Sequence, residues 1–202
     1  ETLSVNLSGV SAQSVASLTA LKTLTVYGGY DAAVSAFASL PRLESLTVFH
    51  SAVTSPQLSS AACLRVLVFD SCSSLSDLTG LNGIQTLESL TIRGGSLATP
   101  VLSGLPVLRS LTLSECGVST LLSMTDLPAL ESLNLSGNGI QSIEVLGFSR
   151  LQYLDLSNNK LSSPAALAID MVSGSLDLSG NESSLYADLS AFSDSLKVIT
   201  SK

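Results

Sequence analysis

Charge is scarce in this 202-residue chain, with 12% of residues charged, and aromatics are scarcer, at 4% with no tryptophan. Nine Lys and Arg stand against 16 Asp and Glu, giving a formal charge of −7. No basic cluster interrupts that deficit, so the chain repels phosphate backbones and anionic lipid, and nucleic acid is not an expected partner. One histidine, His50, limits any Ser-His-Asp site to that residue. Its expected companions are Ser51, Thr25 and Asp70, with no nucleophile elbow or oxyanion turn beside it. Phosphate loops are missing too. Gly28-Gly29 and Gly94-Gly95 follow strands but bring no Lys and no helix start. The expectation is therefore not an enzyme, with no cofactor and no metal. No apolar run reaches the roughly 18–20 residues needed to cross a bilayer. The N-terminus, Glu1-Thr2-Leu3-Ser4, lacks the basic and apolar regions of a signal peptide. A start without Met and an end partway through a repeat suggest a piece excised from a longer protein.

What is abundant is leucine in register. The phrase L-x-x-L-x-[LVIF] begins at Leu21, Leu43, Leu64, Leu87, Leu108, Leu130 and Leu151, at intervals of 22, 21, 23, 21, 22 and 21 residues. A further copy runs through Leu176-Asp177-Leu178, and another is read as starting at Leu196. The first copy, Leu3 to Val10, leaves Leu3/Val5 and Val5/Leu7 open as the strand pair. Apolar residues fall at positions 1, 4, 6, 11, 14, 17 and about 20 of each copy; the clearest runs Leu130, Leu133, Leu135, Asn138, Ile140, Ile143, Leu146. Alternation at positions 4 and 6 marks a short strand with both side chains on one face. The looser spacing that follows fits a 3₁₀-like or irregular turn, too short for a full helix. One such coil cannot bury its own leucines, but stacked coils bury each other's.

The segment LPALESLNLSGNGIQSIEVLGFSRLQYLDLSNNKLSS, Leu127 to Ser163, resembles the 22-residue leucine-rich repeats of bacterial internalins, of the leucine-rich regulatory subunit of protein phosphatase 1 and of the outer-arm dynein light chain. The resemblance implies an α/β solenoid, a horseshoe or arc with a parallel sheet on its concave face and short 3₁₀ or irregular convex segments. Residues 1–202 are then one leucine-rich-repeat domain of about nine to ten coils, expected to be a monomer in isolation. The resemblance also implies a noncatalytic module with scaffold or adaptor character, holding a protein or peptide on the concave face. An extracellular or cell-surface adhesion or antigen ectodomain and a structural spacer remain open as alternatives.

In that family position 9 is usually Asn, whose amide ties adjacent turns together. Here Asn138, Asn159 and Asn181 keep it, while Gly29, Ser51, Cys72, Gly95 and Cys116 replace it earlier, so the N-terminal half is expected to be less regular. Pro56, Pro100 and Pro164 all fall at position 14, on the convex side, where no sheet bond is lost. Cys72 and Cys116 lie two turns apart, about 10 Å at strand spacing and beyond disulfide reach. With Cys63 they read as free thiols, favouring a reducing, cytoplasmic setting. The sequons at Asn6, Asn134 and Asn181 point the other way, to a secreted or surface protein, although Asn181 is expected to face inward.

With positions 4 and 6 inward, positions 3, 5 and 7 face a partner. The position-7 column places Tyr27, Phe49, Asp70 and Arg93 over about 14 Å, with His50 beside Phe49 and Glu115 near Arg93. Aromatics and Arg dominate binding hot spots, so these residues are candidate partner contacts; ordinary surface residues with a weak Asp70–Arg93 pair are the alternative. Tyr153, beside Asp155, is a second candidate. Burial separates the two classes of residue by experiment. Leu111→Ala should lower stability by about 2–5 kcal/mol in chemical denaturation, whereas replacing Tyr27 and Phe49 together should leave it nearly unchanged.

Overall fold

The computed structural model describes residues 1–7, 11–119, 123–145, 147–171, 173–187, 189 and 196–200. Leu146 and Val10, named above within the repeat, lie outside them. Ten strands, Thr2–Asn6, Thr23–Tyr27, Ser45–Phe49, Val66–Asp70, Ser89–Arg93, Ser110–Ser114, Ser132–Asn134, Tyr153–Asp155, Gly174–Asp177 and Leu196–Ile199, stand in chain order in one sheet. Every pairing in it is parallel. The register sets Leu24, Leu46, Leu67, Leu90, Leu111, Leu133, Leu154 and Leu176 in one row, all fully buried. This is the position-4 row read from the sequence, and with positions 1 and 6 it forms a single continuous core.

The end coils resolve one ambiguity and correct one register. Leu3 pairs with Leu24 and Val5 with Val26, so Leu3/Val5 is the first inward pair. At the other end Val198 sits opposite Leu176. The last copy is thus registered one residue earlier than a start at Leu196 requires, and Ile199, not Thr200, occupies position 5. The alternation of Leu196 and Val198 wins there, because a period of two keeps both on one face.

The convex side mixes short elements: helices Ala12–Ala16 and Asp31–Ser35, 3₁₀ turns Ala36–Ser39, Thr79–Leu81, Pro164–Ala166 and Ser183–Ala187, and two small parallel sheets. In these sheets Val101–Ser103 pairs with Ser123–Thr125 and Ile143–Val145 with Leu167–Ile169. Pro100 directly precedes the first of these strands and Pro164 opens a 3₁₀ turn, so neither removes a ladder bond.

Regularity runs opposite to the expectation from position 9. The five strands from Thr23 to Ser114 each extend five residues, to position 7, whereas those at Ser132, Tyr153 and Gly174 stop at position 5. The cause is a competition for one carbonyl. In the later coils the Asn amide takes the position-6 carbonyl of the preceding coil: Asn138 donates to Leu113 at 2.7 Å, Asn159 to Leu135 at 3.0 Å and Asn181 to Leu156 at 2.9 Å. The position-7 N–H that would otherwise reach that carbonyl is instead taken by the position-5 side chain of its own coil. Asn134 accepts from Ser136, Asp155 from Ser157 and Asp177 from Ser179, each at 2.9 Å. Such local side-chain bonds end a ladder. Where position 9 is Gly, Ser or Cys, position 5 is Thr or Val, whose β-branched side chains favour the strand, and pairing runs on to position 7.

The early coils tie themselves together by other means. Cys72 and Cys116 make the weak thiol counterpart of the Asn bond, to Val48 and Ile92. On the convex side Asp31 accepts from the N–H and hydroxyl of Thr54 and the N–H of Ser55, while Asp77 accepts from Ser55 and from both groups of Thr79. The Thr79 N–H, then the Ser55 and Thr79 hydroxyls, hold the Asp77 carboxyl below its ordinary value of 3.8. At Asp31 partial burial pushes upward, but its three hydrogen bonds together outweigh it and the net shift is also downward.

Two outcomes follow from this bonding. Asp155→Thr and Asn159→Cys should each destabilise the chain by about 1–3 kcal/mol through stranded backbone groups. The pair together should cost clearly less than the sum, because it transplants the Thr112/Cys116 arrangement; a double-mutant cycle by chemical denaturation reads this coupling. Because the folded pKa of Asp77 is depressed, its contribution is present above the unfolded value near 3.8 and is lost as pH falls through the lower folded value. Asp77→Asn should therefore flatten the acid limb of a stability-versus-pH curve.

Candidate protein-binding face

The strand register brings Tyr27, Phe49, Asp70 and Arg93 side by side on four successive strands. Tyr27 and Phe49 stack, with ring centroids 5.3 Å apart and planes 17° from parallel. His50 extends the cluster, its ring 6.4 Å from that of Phe49 and tilted by 36°. Tyr27 remains 41% exposed, an unusual state for a large ring on a sheet whose other face is sealed. Burying those rings under a partner would remove apolar surface from water at the point where the sheet offers most of it. On the same face of the sheet, Val66 is exposed at the opposite end of its strand and Val68 is half-buried, while Thr25, Thr47 and Thr91 supply half-buried hydroxyls.

Asp70 and Arg93 approach to 3.9 Å, longer than the 2.5–2.7 Å of the other three ion pairs among the described residues. Asp70 also accepts a hydrogen bond from the Ser71 hydroxyl at 2.9 Å. The Arg93 side chain stays 58% exposed, which leaves most of its donors for another molecule.

One of the candidates, Glu115, takes a different place from that expected, while His50 and Tyr153 lie beside Phe49 and Asp155 as read from the sequence. Glu115 is exposed at position 8 and does not join Arg93; a Cβ added at Gly137 would fall 2.9 Å from its Cγ, so its side chain leans over the following coil. The reason is backbone conformation. Position 8 turns left-handed in coil after coil, at Gly28, His50, Ser71, Gly94, Glu115, Gly137, Asn158 and Gly180. His50 and Glu115 therefore leave the sheet at its rim, out of line with the outward-pointing column. Tyr153 lies three strands beyond Arg93 and belongs to a separate group. Its hydroxyl donates to Asp155 at 3.3 Å, and Asp155 also accepts from Asn134 at 2.9 Å. Partial burial, then the charge and hydrogen bond of Asp155, raise the Tyr153 pKa, so it stays a neutral donor.

The sequence reading passed over a row at position 2, on the opposite edge of the sheet. Lys22, Glu44, Arg65, Glu88, Arg109 and Glu131 alternate in sign along six coils, pairing as Lys22–Glu44, Arg65–Glu88 and Arg109–Glu131. The alternation is visible in the sequence once the repeats are aligned. It is hidden when attention stays on positions 3, 5 and 7.

The family model described as leucine-rich repeats (2 copies) matches residues 128–168. The fold is that of a leucine-rich-repeat solenoid. Among solved structures, InlP of Listeria monocytogenes is similar at a TM-score of 0.58 and 19% identity, covering 94% of this chain and 63% of that one. An internalin of Listeria monocytogenes strain 4b F2365, InlF, matches at a TM-score of 0.49 and 18% identity over 89% of this chain and 74% of its own. This chain thus spans less than two thirds of InlP. No curated protein sequence matches it. The fold class and the likeness to internalins read from Leu127 to Ser163 agree with these findings, and the likeness extends well beyond that segment.

The cysteines Cys63, Cys72 and Cys116 are free. Burial raises the pKa of the Cys72 and Cys116 thiols, which keeps them protonated and able to donate within the coil stack. Among the described residues no helix is long and apolar enough to cross a membrane, and no group of three or more His, Cys, Asp or Glu could hold a metal ion.

Proposed function

We propose that this chain is a noncatalytic interaction module that holds a protein or peptide on the N-terminal half of its concave sheet. The observation that carries the reading is the stack of exposed Tyr27 on half-buried Phe49, continued by an Arg93 guanidinium that its neighbour Asp70 only loosely engages. Rigid aromatics bring large contact area at small entropic cost, and a free guanidinium fork adds directional bonds to a partner's acceptors. Tyr27, Phe49 and Arg93 form the centre of the site, His50 and Asp70 its border. Glu115 stands at its margin and Tyr153 lies three strands away; both are expected to contribute little. The later half of the sheet is a poorer docking surface, because Asn134, Asp155 and Asp177 hold backbone N–H groups of their own coils.

The free thiols support a cytoplasmic setting. The second reading, an extracellular or cell-surface module, rests on the sequons at Asn6, Asn134 and Asn181; Ser8 of the first lies outside the described residues. The amide nitrogens of Asn134 and Asn181 already donate inside the structure, to Asp155 and to Leu156 and Leu178. N-glycosylation of the natural protein at Asn6 would establish the extracellular reading.

Affinity capture with the wild-type chain and the Tyr27→Ala/Phe49→Ala variant, followed by titration of the captured partner, tests the site. Binding should weaken by about 2 kcal/mol or more, roughly thirtyfold, while thermal stability stays nearly constant. Equal affinity for both chains would remove the site from this end of the sheet.

A further inference from the structure

The alternating row at position 2 has a property that goes beyond its internal ion pairs. Read in one direction it runs Lys22, Glu44, Arg65, Glu88, Arg109, Glu131, positive then negative; read backwards it runs negative then positive. A second copy laid antiparallel against it, with a two-fold axis between Arg65 and Glu88, therefore meets opposite charge at every step. Lys22 faces Glu131 of that copy, Glu44 faces Arg109 and Arg65 faces Glu88, and the same three contacts recur in reverse. We infer that this rim is a self-complementary surface through which two copies of the chain associate edge to edge, antiparallel.

Three observations support a second copy as the occupant. First, all six side chains are between 37% and 60% exposed, so both ends of each internal pair remain available. Secondly, each pair is made by one nitrogen and one carboxylate oxygen: Lys22 Nζ, Arg65 Nη2 and Arg109 Nη1 each reach the Oε1 of their glutamate. The remaining guanidinium nitrogens and the second oxygens can bond across the axis without breaking the internal pairs. Thirdly, Glu44, Arg65 and Glu88 in the middle of the row line a shallow depression together with the uncharged Ala62, Cys63, Gln85, Thr86 and Val107, and Val107 itself is 39% exposed. The depression lies at the proposed axis, where an isologous contact places the same apolar patch on both partners.

Geometry permits all the contacts together. When the two-fold lies along the radius of the arc between the fourth and fifth strands, the two solenoids keep one centre of curvature, their rims meet over the first eight coils, and both concave sheets open on the same side. The Tyr27–Phe49 site, at the far end of the strands from position 2, stays uncovered. Exposed ion pairs are individually weak, so the charges set orientation and partner choice while the apolar centre adds the remainder. The expected dimer is weak and salt-sensitive, which departs from the monomer expected of an isolated solenoid.

Sedimentation of the wild-type chain between about 0.02 M and about 0.5 M salt reads the association, which should weaken at least about tenfold as the Debye length shrinks. Glu88→Arg sets Arg65 against a like charge and should abolish the dimer at low salt. A chain with all six signs exchanged should dimerise with itself as the wild type does, yet the two should fail to form mixed dimers, because every contact between them joins like charges. Circular dichroism on each variant confirms that it folds. A wild-type chain that remains monomeric at low salt up to millimolar concentration, or mixed dimers forming as readily as pure ones, would overturn the inference. The concave site is not altered by any of these variants, so its test is independent.

Discussion

Each coil of this solenoid must supply a donor to the position-6 carbonyl of the coil before it, and much of the local structure depends on how that is done. That carbonyl lies at the inner edge of the sheet, next to the leucine core, where an unpaired acceptor is costly. Two solutions coexist in one chain. Between Thr23 and Ser114 the strand pairing continues to position 7. From Ser132 to Asp177 an inward Asn amide takes over, and an Asn or Asp at position 5 satisfies the N–H this displaces. The residues at positions 5 and 9 are thus one device, and they change together along the chain.

This switch also decides how far each strand carries side chains onto the concave face. A strand that runs to position 7 carries its side chain there squarely on the concave face, and Tyr27, Phe49, Asp70 and Arg93 occupy those places. Once the ladder stops at position 5, position 7 is held by Ser136, Ser157 and Ser179, small residues next to engaged Asx side chains. The two proposed contact surfaces then fall on opposite ends of the strands: the aromatic site at position 7 and the alternating charges at position 2.

The sequence by itself determined the architecture. A 21–23-residue period with leucine at positions 1, 4 and 6 leaves no other way to bury those side chains than stacked coils with a parallel sheet, and the outward column could be read from alternation alone. Even the position-8 glycines and the alternation of Lys, Arg and Glu at position 2 were present in the aligned copies. What the tertiary structure decided was everything that depends on a neighbour one coil away. Loss of Asn at position 9 reads as loss of order when a coil is considered alone, yet the early coils are the longer-stranded ones, since the carbonyl Asn would have claimed is free to pair with the next strand. Glu115 looks adjacent to Arg93 by count but leans toward Gly137, because a left-handed residue turns its side chain off the sheet. The period of a sequence fixes which side chains are buried, but the direction of a side chain at the rim, and the donor each carbonyl receives, are settled only when the next coil is in place.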